Sequence, residues 1–157
     1  MTGIATVECR CALRDAVATA AAAAALARLS RRGDVFCLYG ARGAGKTTFA
    51  RGFLRALGIE EEIPSPTFNL ALTYETALGM VWHFDLYRLS TPDEVIELGM
   101  EDAFTDGICL IEWPDRLGPW MPENRIEIHL SDTNDGASRE LVLRAIGPDA
   151  ERWQAPW

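Results

Sequence analysis

Residues Gly40-Ala41-Arg42-Gly43-Ala44-Gly45-Lys46-Thr47 satisfy G-x-x-x-x-G-K-[ST] at every specified position. Glycines at this spacing let successive backbone N–H groups turn inward around a phosphate, and a helix starting beside them adds its positive dipole end. Lys46 would place a point charge on β and γ oxygens, and the Thr47 hydroxyl would ligate Mg2+. Ala41, Arg42 and Ala44 would serve through their backbone, with Thr48 following in the first helical turn. The chemistry is nucleotide binding, on condition that a buried strand precedes the loop and a helix follows it.

A phosphate loop also needs carboxylates on neighbouring strands to hold Mg2+ through its waters. Two apolar runs end in an acid: Val81-Trp82-His83-Phe84-Asp85 and Ile108-Cys109-Leu110-Ile111-Glu112. In open α/β sheets ligands lie at the carboxyl ends of the strands, so Asp85 and Glu112 are the candidate metal and hydrolysis acids. Thr67, after Ser65-Pro66, reads equally well as a γ-phosphate sensor or as a β-branched residue starting a strand. His83 alternates onto the face of Asp85 and reads as a hydrogen-bonded structural histidine before a catalytic one. His129 falls on the polar face of its strand and reads as solvated, and Trp113 as an aromatic beside Glu112. Asp115-Arg116-Leu117-Gly118 spells D-x-x-G, a weak signal. No Asn-Lys-x-Asp motif reads guanine, so ATP is the expected nucleotide.

The elements that must position these residues follow from the same sequence. Val35–Tyr39 is a short continuous apolar run, the pattern of a strand buried on both faces. Lys46–Leu57 then places Phe49, Ala50, Phe53, Leu54 and Leu57 on one helical face, with Gly58 as the stop. Upstream, Ile4–Cys11 reads as a strand and the alanine-rich Leu13–Leu29 as a helix. Downstream, strands are expected at Thr67–Tyr74, Met80–Phe84 and Ile108–Ile111. A short helix opens on a capping box at Thr91-Pro92-Asp93-Glu94 and stops near Gly99. Arg125–Leu130, with Ile126, Ile128 and Leu130 inward, pairs with Glu140–Ala145 across an Asn134-Asp135-Gly136 turn. The whole reads as one domain over residues 1–157, its core about 34–146 and a tail over 147–157.

Composition narrows the partners. The 157 residues carry 15 Lys and Arg against 23 Asp and Glu, a net charge of −8, so no basic face for autonomous nucleic-acid or anionic-membrane binding is expected. Hydrophobic residues at 48% and charged ones at 24% match a globular chain and exclude disordered and fibrous classes. Cys9, Cys11, Cys37 and Cys109 form no C-x-x-C pair, and with two histidines they make no zinc set. Cys37 and Cys109 read as buried free thiols in a reducing compartment. With no signal-peptide or membrane-span pattern, a cytoplasmic location is expected.

Four blocks in order carry a resemblance: Gly43-Ala44-Gly45-Lys46-Thr47-Thr48-Phe49, Ser65-Pro66-Thr67-Phe68, His83-Phe84-Asp85-Leu86-Tyr87-Arg88 and Leu110-Ile111-Glu112-Trp113-Pro114. Together, over about Asp34 to Ile146, they resemble the TsaE (YjeE) family, the ATPase subunit of the bacterial tRNA threonylcarbamoyladenosine machinery. The resemblance implies an α/β fold of the three-layer α/β/α P-loop type, its mixed sheet extended by antiparallel strands. It implies weak Mg-dependent ATP hydrolysis in support of a TsaB–TsaD pair that modifies ANN-decoding tRNAs. The tRNA would be reached only through that complex, and the chain would not itself transfer the threonylcarbamoyl group. By the same resemblance Lys46 and Thr47 hold phosphate and Mg2+, Thr67 is switch-like, Asp85 and Glu112 serve metal and hydrolysis, and Trp113 lies near the nucleotide. The family usually has an acid and an apolar residue where this chain has Ala41 and Arg42. It often has a glycine in the first helix, where this chain has alanine, which bears on any adenine contact from Arg14 or Asp15. A stand-alone small-molecule kinase and a nucleotide-gated scaffold without turnover are the alternatives. A kinase lid would normally supply arginines, and Ser90–Gly107 contains no Arg or Lys.

Overall fold

The computed structural model describes residues 5–41, 43–66, 69–133 and 138–157. Seven strands form one mixed sheet: β1 (Thr6–Leu13), β2 (Val35–Tyr39), β3 (Ala71–Thr76), β4 (Gly79–Asp85), β5 (Ile108–Glu112), β6 (Arg125–Asp132) and β7 (Arg139–Ile146). Their order is β1-β7-β6-β2-β5-β4-β3. The four central strands β6, β2, β5 and β4 are parallel, while β3 and the β7–β1 pair extend the sheet antiparallel at either edge. This is the expected α/β architecture. The apolar runs Val35–Tyr39 of β2 and 108–111 of β5 follow from the central places of these strands, with helices on both faces.

One face is covered by α1 (Ala16–Leu29) and α2 (Lys46–Ala56), which pack over Phe36, Leu38, Leu110, Ile128 and Leu143. The other is covered by α3 (Glu94–Glu97), α4 (Met100–Asp106) and a 3-10 segment at Pro114–Trp120, over Cys37, Phe84, Cys109 and Ile111. The alanine run of α1 has a packing reason. A Cβ on Gly52 of α2 would lie 2.7 Å from the Ala20 Cα and 2.9 Å from its carbonyl oxygen, so the two helices touch backbone to backbone where both side chains are minimal. Beyond Ile146, Trp153 is buried edge-on against Phe36 at 5.6 Å. Arg152 forks onto Asp34 at 2.6 and 3.0 Å, tying residues of the expected tail to the turn before β2.

Several boundaries differ from the sequence reading. Leu13 ends β1 rather than opening α1, because the Asp15 carboxylate accepts from the Ala18 N–H at 2.8 Å and fixes the helix start at Ala16. The strand expected from Thr67 begins at Ala71, since Leu70 takes a left-handed φ of 63° and its N–H donates to the Pro66 carbonyl. Glu94 does reach back to the Thr91 N–H at 3.1 Å, but the helix it opens is one turn long. A second helix, α4, starts after Gly99 and has no counterpart in the reading. The Asn134-Asp135-Gly136 turn lies outside the described residues; the pairing it joins, β6 with β7, is present. Cys37 and Cys109 are fully buried, and burial pushes the Cys37 thiol up to about 12 and the Cys109 thiol further, so both stay protonated and inert. No described helix is long and apolar enough to cross a membrane.

Candidate functional site

The loop after β2 is built around backbone that only glycine tolerates. Gly40 has φ +151°, and a Cβ there would meet the Leu130 carbonyl oxygen of β6 at 2.7 Å. Gly45, at φ +106°, is the N-cap of α2 and offers no side chain to the first-turn amides; nor does that turn contain an acid. A helix start without cap or acid leaves its N–H groups and dipole for an anion. The condition set by the sequence, strand then loop then helix, is met.

Lys46 is buried at 5% exposure. Its Nζ donates to the Gly40 carbonyl at 2.6 Å and sits 3.5 Å from the centroid of the Trp113 ring. The lysine thus bolts the start of the loop to the residue after β5. Trp113 itself takes a left-handed φ of 59°, a strained conformation for a bulky residue, which turns the chain beneath the loop.

Strand pairing sets the acids. Asp85 and Glu112 are register partners across β4 and β5, so both project onto the α2 face of the sheet. The Thr47 hydroxyl donates to Glu112 at 3.3 Å, and the Glu112 Oε2 also accepts from the His83 Nε2 at 2.6 Å. His83 is fully buried, and its Nδ1 has no partner among the described residues. Asp85 is 5% exposed, and one of its oxygens accepts the Tyr87 N–H at 3.0 Å. Hence Thr47, Glu112 and His83 form a chain of polar contacts from the helix start into the sheet. His83 is the structural histidine expected, and what it supports is the candidate hydrolytic acid.

Lys46, Thr47, Asp85 and Glu112 open into a cavity of about 300 Å³, lined also by Gly43, Gly45, Thr48 and Trp113 among others. Of the expected site residues, Gly40, Ala41 and Ala44 form the rest of the described loop, while Arg42 and Thr67 lie outside the described residues. The oxygen donors of Thr47, Asp85 and Glu112 are hard ligands suited to Mg2+. Among the described residues no three His, Cys, Asp or Glu side chains cluster as a self-sufficient metal cage.

Three lining residues, Ser65, Tyr87 and Arg139, are not among the site residues expected from the sequence. Tyr87 packs its ring 4.9 Å from Trp113. Arg139, from β7 on the far side of β6, lines this cavity and a smaller neighbouring one beside Asp15, Thr19 and Thr48. Nothing local in the sequence marks Arg139. His129, read as solvated on the polar face, keeps 42% of its side chain exposed, and it also stacks on Tyr39 at 4.5 Å and meets Glu127 at 2.9 Å.

The model of the family described as threonylcarbamoyl adenosine biosynthesis protein TsaE matches residues 13–141. The Treponema pallidum tRNA threonylcarbamoyladenosine biosynthesis protein TsaE is 38% identical over 135 residues, covering 85% of this chain and 98% of that one. The Bacillus subtilis protein of the same description is 37% identical, covering 82% and 80%. The Haemophilus influenzae one is 42% identical, covering 68% of each. The crystal structure of Bacillus subtilis YdiB superposes with a TM-score of 0.75 at 29% identity, over 96% of this chain and 93% of that one. With the family model spanning most of the chain and relatives this similar over most of their length, the chain belongs to the TsaE family.

Proposed function

We propose that this chain is a Mg-dependent ATP-binding protein with weak ATPase activity that supports tRNA threonylcarbamoyladenosine biosynthesis. Its partners in this reading are TsaB and TsaD in the cytoplasm, with tRNA met only through their complex. The observation that carries the proposal is the convergence of Gly43, Gly45, Lys46, Thr47 and two register-paired acids on one cavity. Membership of the TsaE family supplies the pathway.

In this reading the loop amides and Lys46 bind the phosphates. Lys46 would leave the Gly40 carbonyl and Trp113 to do so, exchanging a neutral acceptor and an aromatic face for phosphate oxygens. Magnesium, when bound, would be held by Thr47 and, through water, by Glu112 and Asp85, and would withdraw charge from the phosphate oxygens. Glu112, held by His83, would orient or deprotonate an attacking water. Thr67 remains the proposed γ-phosphate sensor, on a segment stiffened by Pro64 and Pro66. A ligand shifts a switch only by its differential affinity for the two states, so ATP should favour docking more than ADP.

The test is calorimetric titration with Mg-ATP, phosphate release with and without TsaB–TsaD, and partner affinity in ATP, ADP and no nucleotide. Binding of ATP, turnover raised by the partners and tighter docking in ATP are expected. Absence of ATP binding would overturn the reading. Binding with no phosphate release under any condition would leave the gated scaffold in its place.

A further inference from the structure

The C-terminal hairpin holds the phosphate loop at two points. Near its start, the Leu130 carbonyl of β6 lies against Gly40. At its tip, the Arg139 guanidinium of β7 donates to the Gly43 carbonyl at 2.9 Å. The same guanidinium pairs at 2.8 Å with Asp132, its register partner across the hairpin, and this cross-strand pair fixes its direction. Its Nε also lies 3.4 Å from where a Gly45 Cβ would be, so it runs along the loop toward the start of α2.

The peptide between Gly43 and Ala44 is what this contact orients. In a trans peptide the C=O and the following N–H point in opposite directions. With the Gly43 carbonyl turned out to Arg139, the Ala44 N–H points inward, where it donates to the Ala41 carbonyl at 3.0 Å across the loop. An arriving phosphate would compete for that amide. Were the peptide to flip, a carbonyl dipole would face the phosphate instead and repel it. Gly43, at φ +81°, offers little steric resistance to such a flip. A charged donor anchored to Asp132 supplies the missing resistance.

Resting on the nucleotide-binding reading above, we propose that Arg139 is a positioning residue of the phosphate site. It braces the Gly43–Ala44 peptide so that the loop amides face inward before the ligand arrives. Its action is on the loop, so it should serve any ligand with adjacent phosphates, with or without a nucleoside attached.

The experiment titrates the full-length chain with Mg-ATP and with Mg-tripolyphosphate, for wild type, Arg139→Ala and Arg139→Lys. Both ligands should weaken by the same factor in Arg139→Ala, about tenfold for a lost charge-assisted hydrogen bond. Arg139→Lys, keeping one donor but not the fork, should fall between for both. Should Arg139→Ala not fold, Asp132→Ala removes the anchor of the guanidinium and should weaken both ligands equally by a smaller factor. Loss confined to ATP would overturn the brace in favour of a nucleoside contact, and no loss for either ligand would overturn it outright. A wild type that binds neither ligand fails the nucleotide reading itself, a result distinct from a wild type that binds and variants that match it.

Discussion

The His83 Nε2 lies 2.6 Å from the Glu112 Oε2, and both side chains are buried at the sheet face beneath the phosphate loop. A carboxylate at this depth keeps its orientation only while its donors hold it. His83→Ala should therefore lower phosphate release about tenfold, in the range seen when partners behind a ligating group are removed. ATP affinity should stay within about twofold, because His83 does not reach the cavity. His83→Gln places an amide nitrogen near the Nε2 position and should restore most of the rate. Equal rates in His83→Ala and wild type would separate His83 from the chemistry.

Glu112→Gln and Asp85→Asn should spare nucleotide binding and cost hydrolysis, with Glu112→Gln losing about a hundredfold or more if it orients or deprotonates water. Single-turnover phosphate release beside calorimetric affinity is the measurement. An Asp85→Asn chain that hydrolyses normally would remove Asp85 from the metal side of the site.

Lys46 bears on both binding and signal. Lys46→Ala should weaken ATP by at least about a hundredfold, since a charged partner of phosphate oxygens is lost. The Nζ also stands 3.5 Å from the Trp113 ring centroid. Drawing it onto phosphate should change the tryptophan emission on ATP addition, and Trp113→Phe should abolish that change. An unaltered spectrum at saturating ATP would mean that Lys46 keeps its seat over the ring.

Gly52→Ala sets two known effects against each other. Alanine gains about 1 kcal/mol over glycine in a helix interior. The new methyl carbon, however, would sit 2.7 Å from the Ala20 Cα, and backbone cannot step aside as a side chain can. Overpacking of this kind costs about 1–3 kcal/mol, and forcing two helices apart belongs at the upper end. The midpoint of thermal unfolding should fall despite the better propensity; a rise would show that the α1–α2 crossing relaxes freely.

Glu127 predicts a pH dependence of stability. Burial pushes its carboxyl up, but hydrogen bonds from His129 and Arg125, each at 2.9 Å, outweigh this and hold it below the ordinary value of 4.5. The folded state therefore binds its proton less readily than the unfolded chain. The resulting stability is fully present above about pH 4.5 and is lost as pH falls through the lower folded value. Glu127→Gln should flatten that acid limb in urea unfolding followed against pH. An acid limb as steep as that of the wild type would place its origin elsewhere.

What the sequence made legible was what is local. The candidate phosphate loop stands out because its glycines, lysine and threonine are contiguous and lie between an apolar run and an amphipathic one. Asp85 and Glu112 could be read because each closes a buried strand. That Glu112 faces His83 depends on the register of β4 against β5, which no single segment encodes. Arg139 meets Gly43 across 96 positions of sequence, through a hairpin whose strands were legible but whose place beside β2 was not. Leu70, through a left-handed turn, sets the start of β3 at Ala71, where propensity alone would begin the strand at Thr67.

The place of β2 between β5 and β6 also sets an order of events during synthesis. The loop leaves the ribosome early, yet neither neighbour of its strand exists until residues 108–112 and 125–132 have followed. Parallel pairings of this separation form slowly, because long loops must close before any contact rewards them. A nascent chain lacking its last strands would thus carry the whole glycine-lysine motif without the strands that flank β2 or the hairpin contacts at Gly40 and Gly43. In the proposed reading, nucleotide capture would be a property of the assembled sheet, and ATP, binding only that state, would act as a ligand that pulls late folding to completion.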